Sequence, residues 1–154
     1  MKIKNKKGFT LVEMLVVIAI IGILMALLFP VFTTVLKKAK RTKAKTEISQ
    51  VEQAWKAFVM DYKQFPDNLD SMDSTALKHL TGDNDAINER KTLYLEVDSD
   101  EPYTDPWQNI YNIKLKTSGK QDAYDGKTVN KQVLVWSFGP DKKENTKDDI
   151  KNWN

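Results

Sequence analysis

Three aspartates near the C-terminus carry the densest chemistry in this chain. Asp141, Asp148 and Asp149 lie in the run Ser137-Phe138-Gly139-Pro140-Asp141-Lys142-Lys143-Glu144-Asn145-Thr146-Lys147-Asp148-Asp149-Ile150. Like charges gathered in one turn-prone loop repel unless a cation neutralises them. Calcium suits such a loop, because it accepts about six to eight oxygens, backbone carbonyls included, in a flexible shell. The carbonyls of Phe138 and Asn145 are the candidates to complete that shell. The spacing is not that of an EF-hand, which alternates Asp and Asn and ends on a bidentate Glu. A solvated acidic loop with no ion accounts for the same residues, and on the residues alone both readings stand.

A second constellation lies at the other end. Glu13 precedes residues 14–32, nineteen positions without a charge, and Lys2, Lys4, Lys6 and Lys7 stand before it. About 20 apolar residues cross a hydrocarbon core of roughly 30 Å as a helix. Flanking lysines hold their end on the cytoplasmic side. A carboxylate in lipid is costly and usually functional. An ordinary secretory signal is cut after its apolar core, whereas here the small residue at a boundary is Gly8, before the core. A cut between Gly8 and Phe9 would strip the lysines and leave the apolar helix on the product.

Lys7-Gly8-Phe9-Thr10-Leu11-Val12-Glu13 resembles the class III leader of type IV prepilins and type II secretion pseudopilins, and Pro30 matches a family proline. The resemblance implies a prepilin peptidase cutting at Gly8, methylation of the new terminal Phe9, and assembly through Phe9 and Glu13. Two further motifs resemble the type II secretion major pseudopilins. The family's Asp-Pro-Trp-Gly-Asn-Pro-Tyr reads here as Asp105-Pro106-Trp107-Gln108-Asn109-Ile110-Tyr111, with Gln108 and Ile110 departing. Its Ser-x-Gly-x-Asp … Asp-Ile-x-Asn-Trp loop, which binds calcium in the family, reads as Ser137-Phe138-Gly139-Pro140-Asp141, then Asp149-Ile150-Lys151-Asn152-Trp153. The implied role is a structural subunit of a helical homopolymer that supports protein export. Its implied partners are further copies of itself, an inner-membrane assembly platform, minor pseudopilins, and membrane lipid before assembly. The implied location is the bacterial inner membrane, single-pass, with the C-terminal domain outside the cytoplasm. Two alternatives remain: a type IV pilin of an adhesion or DNA-uptake filament, and a monomeric membrane-anchored calcium-binding module.

Composition narrows the field. The net charge is +3, and removing the leader's four lysines leaves −1. Six bases cluster at Lys37, Lys38, Lys40, Arg41, Lys43 and Lys45; beyond them, residues 46–154 hold 14 Lys+Arg against 20 Asp+Glu. An acidic domain of that kind is not a general nucleic-acid binder. The basic cluster reads as a solvated or headgroup-facing helix stretch, or as a subunit contact. The absence of cysteine excludes a disulfide staple. With one histidine, His79, and no nucleophile–base pair or phosphate-cradling glycine loop, no enzyme is expected.

The elements that must position these residues follow from periodicity. Ile48, Val51, Trp55, Phe58, Val59 and Tyr62 recur at helical spacing, so one long helix is expected from Thr10 to Tyr62. Its opposite face would carry Lys43, Glu47, Gln50 and Lys56, and Phe65-Pro66 would end it. A short helix is expected over residues 74–80, and strands over residues 92–97, 110–115 and 133–137. The expected fold is α+β, with the second half of the long helix packed on a small antiparallel sheet. The expected divisions are a leader (1–8), an apolar helix (9–33) and a globular domain (34–154).

Overall fold

The computed structural model describes residues 8–83 and 88–153. Helix α1 spans Leu11–Tyr62, one residue from the expected start. The chain divides into two compact units, Met1–Ala39 and Lys40–Asn154.

In the first unit α1 is apolar all round and its large side chains are exposed, from Leu11 to Leu36. A helix without a polar face does not suit a soluble domain's surface, and this one is long and apolar enough to cross a membrane. Its first turn is closed by a reciprocal box. The Thr10 hydroxyl accepts from Glu13 N–H at 3.2 Å, and Glu13 Oε2 accepts from Thr10 N–H at 2.8 Å. Each satisfies an amide that the start of a helix otherwise leaves unpaired. Pro30 lies inside α1, where the hydroxyls of Thr33 and Thr34 both donate to its carbonyl at 3.0 Å.

In the second unit α1 turns one stripe inward: Ala44, Ile48, Val51, Ala54, Trp55, Phe58 and Val59 are buried. Lys63 ends the helix in the left-handed conformation, at φ 65°, ahead of Phe65-Pro66. Helix α2 spans Ser74–Thr81, capped by Asp73, whose carboxylate accepts from Ala76 N–H at 2.9 Å. His79 packs against Trp55 and Phe58, with ring centroids at 6.1 and 5.8 Å, as a core-flanking residue.

Residues 92–97 are not a strand. The amides of Tyr94 and Leu95 both donate to Leu80 O, at 2.7 and 3.1 Å, so the segment closes the end of α2. The strands are β1 (Asn112–Leu115), β2 (Gln121–Asp122), β3 (Thr128–Val129), β4 (Val133–Ser137) and β5 (Ile150–Lys151). The main sheet has the order β1-β4-β5, antiparallel throughout, with Ile113 opposite Val135 and Trp136 opposite Lys151. β1 starts two residues later than expected because Ile110 bridges Thr104 and Tyr111 N–H donates to Tyr103 O. β2 and β3 form a separate two-stranded ribbon in the connection marked by Gly119 and Gly126.

All five residues of β4 are buried, because both faces of the sheet are covered. Val133 and Val135 join the α1 stripe, Met72, Leu77, Leu80 and Tyr111 in the main core. Leu134 and Trp136 join Ala123 and Trp153 in a second cluster on the other face. The last strand and Trp153 thus sit in the core, at the foot of the acidic loop.

Candidate functional site

Two motifs far apart in the sequence meet at the mouth of the C-terminal loop. Asp105, 4% exposed, is their hub. Its Oδ1 accepts from the amides of Trp107 and Asn109, at 2.8 and 2.9 Å, which folds the Asp-Pro-Trp turn on itself. Its Oδ2 accepts from Asn109 Nδ2 at 2.9 Å and from the Ser137 hydroxyl at 2.5 Å. Ser137 Oγ in turn accepts from Gly139 N–H at 3.0 Å, and Asn109 Nδ2 donates to Gly139 O at 2.8 Å. The turn at residues 105–109 therefore holds the Gly139 carbonyl directly and the Gly139 N–H through Ser137. Gln108, which departs from the family's glycine, keeps the left-handed conformation at φ 67°.

Gly139 opens a short 3₁₀ turn, Gly139–Asp141, at φ 69°. A Cβ there would lie 2.7 Å from the carbonyl oxygen of Asp148. Only glycine lets the start and the end of the loop approach so closely. Lys142 and Asn145 also adopt the left-handed conformation, at φ 58° and 64°, and compress the loop between them.

The three aspartates do not behave alike. Asp148 and Asp149 converge on the Thr146 hydroxyl, which lies 2.7 Å from Asp148 Oδ1 and 3.1 Å from Asp149 Oδ1. Asp148 Oδ2 accepts from Asp141 N–H at 3.3 Å. The hydrogen bond from Thr146 holds the Asp148 carboxyl below the usual carboxylate range. Asp149 Oδ2 accepts from the amides of Asn145 and Thr146 and, at 2.5 Å, from the Tyr124 hydroxyl. Burial and this carboxylate raise the Tyr124 phenol well above its ordinary value. The Asp141 carboxylate accepts from Lys143 N–H at 2.9 Å. Each carboxylate already has donors within the protein. Among the described residues no three acidic or histidine side chains group as metal ligands. The donors around Thr146 are carboxylates, a hydroxyl and peptide carbonyls, the hard oxygens a calcium ion takes. Phe138 contributes its ring to the second cluster.

Several residues that anchor the loop are silent in the sequence. Glu52 on α1 accepts from Asn152 Nδ2 at 2.6 Å, Lys56 Nζ at 2.6 Å and Lys131 Nζ at 3.1 Å. Burial raises its pKa, but the bonds from Lys56, Asn152 and Lys131 outweigh that and hold it below the usual range. Asn152 spans β4, accepting from Val135 N–H and donating to Val133 O. Asp125 receives Lys151 Nζ at 2.5 Å and the Trp153 indole N–H at 3.3 Å. Glu47, expected on the solvent face, accepts from the buried Tyr111 hydroxyl at 2.6 Å.

At the other end Gly8 and Phe9 are exposed, and nothing lies within 4 Å of a Cβ built on Gly8. Residues 1–7 of the expected leader lie outside the described residues.

The two ends correspond to two family profiles. One, described as the prokaryotic N-terminal methylation motif, matches residues 3–29; the other, type II secretion system (T2SS) protein G, matches residues 32–153. Type II secretion system core protein G of Escherichia coli (strain K12) is 33% identical over 97% of this chain and 92% of its own length. The protein of that name in Pseudomonas aeruginosa is 32% identical over 99% of both chains. The type IV major pilin protein PilA of Myxococcus xanthus is 38% identical, but over 41% of this chain and 29% of its own. No solved structure matches. The likeness to the protein G relatives runs through the apolar helix, the Asp105 turn and the loop it locks, and the chain belongs to the type II secretion system protein G family.

Proposed function

We propose that this chain is the main structural subunit of a type II secretion pseudopilus, a helical homopolymer built through α1 that supports protein export. The observation that carries the reading is the pairing of an apolar helical half with exposed side chains and a separately cored C-terminal unit that matches protein G. Exposed apolar surface of that extent needs lipid or other copies of the same helix to cover it. Before assembly the helix resides in the inner membrane as a single span, with its C-terminal unit outside the cytoplasm. A prepilin peptidase cuts between Gly8 and Phe9, and Phe9 is methylated. Glu13 then pairs with the free amine of a neighbouring copy's Phe9. The assembly platform and minor pseudopilins act on the processed chain. The type IV pilin alternative is less well supported, because the likeness to the pilin relative covers 41% of this chain while the protein G profile spans residues 32–153.

Calcium is part of the proposal. Asp141, Asp148 and Asp149, with the carbonyls of Phe138 and Asn145, would hold it. When bound, the ion supplies positive charge to a loop rich in carboxylates and ties the start of that loop to its end.

Electron microscopy of filaments sheared from cells overexpressing the full chain tests the reading. Filaments are expected from the wild type. Gly8→Leu should accumulate as uncut precursor by mass spectrometry and form none. An uncut wild-type chain, or a processed chain that never polymerises, would overturn the reading in favour of a membrane-anchored monomer.

A further inference from the structure

In the second unit an open groove of about 590 Å³ runs between α1 and the segment 94–97, lined by Gln50, Gln53, Ala54, Ala57, Leu95 and Glu96. Two alanines on the helix side leave it unfilled. Its far wall continues into an acidic run, residues 96–101, in which Glu96, Asp98, Asp100 and Glu101 are all exposed and Ser99 is buried. Asp98 Oδ1 accepts from Asp100 N–H at 2.9 Å, so the run holds a turn. Among the described residues, none of these four carboxylates is in an ion pair.

The same unit begins with a run of exposed bases. Lys40, Arg41 and Lys45 are exposed and, among the described residues, in no ion pair, whereas Lys43 pairs with Glu47 at 3.6 Å. Arg41 and Lys45 are four apart on α1 and share a face. A chain that carries two exposed patches of opposite sign at different places is complementary to a second copy of itself. Such a contact is heterologous: it closes into a ring where the rotation between copies closes, and propagates as an open helical array where it does not, as the filament reading requires.

We infer that the groove and its acidic wall receive the Lys40–Arg41–Lys45 turn of α1 from a neighbouring copy, with Glu96, Asp98, Asp100 and Glu101 meeting the bases. The methylene stems of lysine and arginine cover apolar surface while their heads meet carboxylates at the rim. The opposed charges steer encounter and fix register. The inference rests on the filament reading and adds to it a specific contact between subunits outside the apolar helix.

The test uses the full chain in cells and reads sheared filaments. One variant reverses the wall (E96K/D98K/D100K/E101K), a second reverses the helix turn (K40E/R41E/K45E), and a third carries both sets. Each single reversal should deplete filaments, with processing and abundance unchanged, and the combined reversal should restore them. The chain has no native cysteine, so Arg41→Cys with Asp98→Cys should give a disulfide-linked ladder of multimers on oxidation, and neither cysteine alone should. Normal filaments from either reversal would overturn the inference and leave the filament reading intact. So would loss in K40E/R41E/K45E that the wall reversal cannot rescue, which would assign the bases to lipid headgroups. A wild type that forms no filaments would remove both.

Discussion

Asn152 donates its amide N–H to Glu52 Oε2 at 2.6 Å, across a hundred positions of sequence. Asn152 also bridges Val133 and Val135 on β4, and Lys131 Nζ reaches both Glu52 and the Asn152 carbonyl, at 3.1 and 2.7 Å. One carboxylate on α1 therefore holds the chain end, the central strand and the turn before it. The C-terminal loop hangs between that anchor and the Asp105 turn.

Removing the anchor should be felt in stability. Glu52→Ala leaves Lys131 and the Asn152 amide without their shared acceptor, and hydrogen bonds to a charged group contribute about 1.5–3 kcal/mol in such settings. The soluble portion, residues 34–154, should lose about 2 kcal/mol in urea unfolding. Because the folded pKa of Glu52 lies below its unfolded value, its contribution is present above the ordinary carboxylate range. It is lost as pH falls through the lower folded value. Unfolding curves of wild type and Glu52→Gln should differ at pH 7 and converge in acid. A constant difference across that window would show that Glu52 acts by packing alone.

Asp105 is the second anchor. It is nearly fully buried and satisfies two amides, Asn109 and Ser137. Asp105→Ala strands those donors, and the loss should reach about 3 kcal/mol. Ser137→Ala removes one donor to Asp105 and the acceptor of Gly139 N–H but leaves the turn at residues 105–109, so it should cost less, roughly 2 kcal/mol. Equal losses from the two substitutions would contradict the hub.

Calcium should act on a loop that is already closed. Binding to the folded state alone adds about 2.7 kcal/mol when the ion exceeds its Kd a hundredfold. Thermal unfolding of residues 34–154 should therefore shift upward in calcium relative to chelator, and little in magnesium, which demands tight octahedral geometry. Asp148→Asn should reduce the calcium shift and, because it weakens the bonds from Thr146 and Asp141, lower the melt in chelator slightly. Tyr124→Phe removes the donor to Asp149 and should lower the melt in chelator as well. Identical melts in calcium and chelator would return the loop to a solvated acidic turn.

Much of this was legible in the sequence for identifiable physical reasons. The stripe from Ile48 to Tyr62 follows helical spacing, and Ser74–Thr81 carries its own cap and stop signal. The motif residues Asp105, Ser137, Gly139 and Asn152 pointed to the right place, but not to their hydrogen-bond partners. Residues 92–97 read as a strand because Thr92, Tyr94 and Val97 favour one. A tertiary demand prevailed: their amides were needed at the end of α2. β5 is two residues long, too short to show a period, and exists because β4 offers it an edge. Glu52 stands four residues before Lys56, which is all its local sequence shows, and pairs with it at 2.6 Å. Nothing local shows that Asn152 and Lys131 arrive from the other end of the domain.

Glu13 offers the sharpest test of assembly, because it has two separable duties. Within one chain it closes the first turn of α1 with Thr10. In the filament it is proposed to meet the amine of a neighbour's Phe9, which exists only after cleavage at Gly8. Glutamine serves the box as well as glutamate does, but it carries no charge for an ammonium. Leucine loses both duties, although it spares the helix a charged group in lipid, which costs at least about 2.5 kcal/mol on insertion scales. Glu13→Gln should therefore insert, keep its helix and be cut at Gly8 as the wild type is. Sheared filaments should fall as far as they do for Glu13→Leu, because the charge is missing in both. Mass spectrometry of the membrane fraction reports processing, and electron microscopy reports assembly. If Glu13→Gln assembles normally while Glu13→Leu does not, the cap is what assembly needs, and the pairing with Phe9 is wrong.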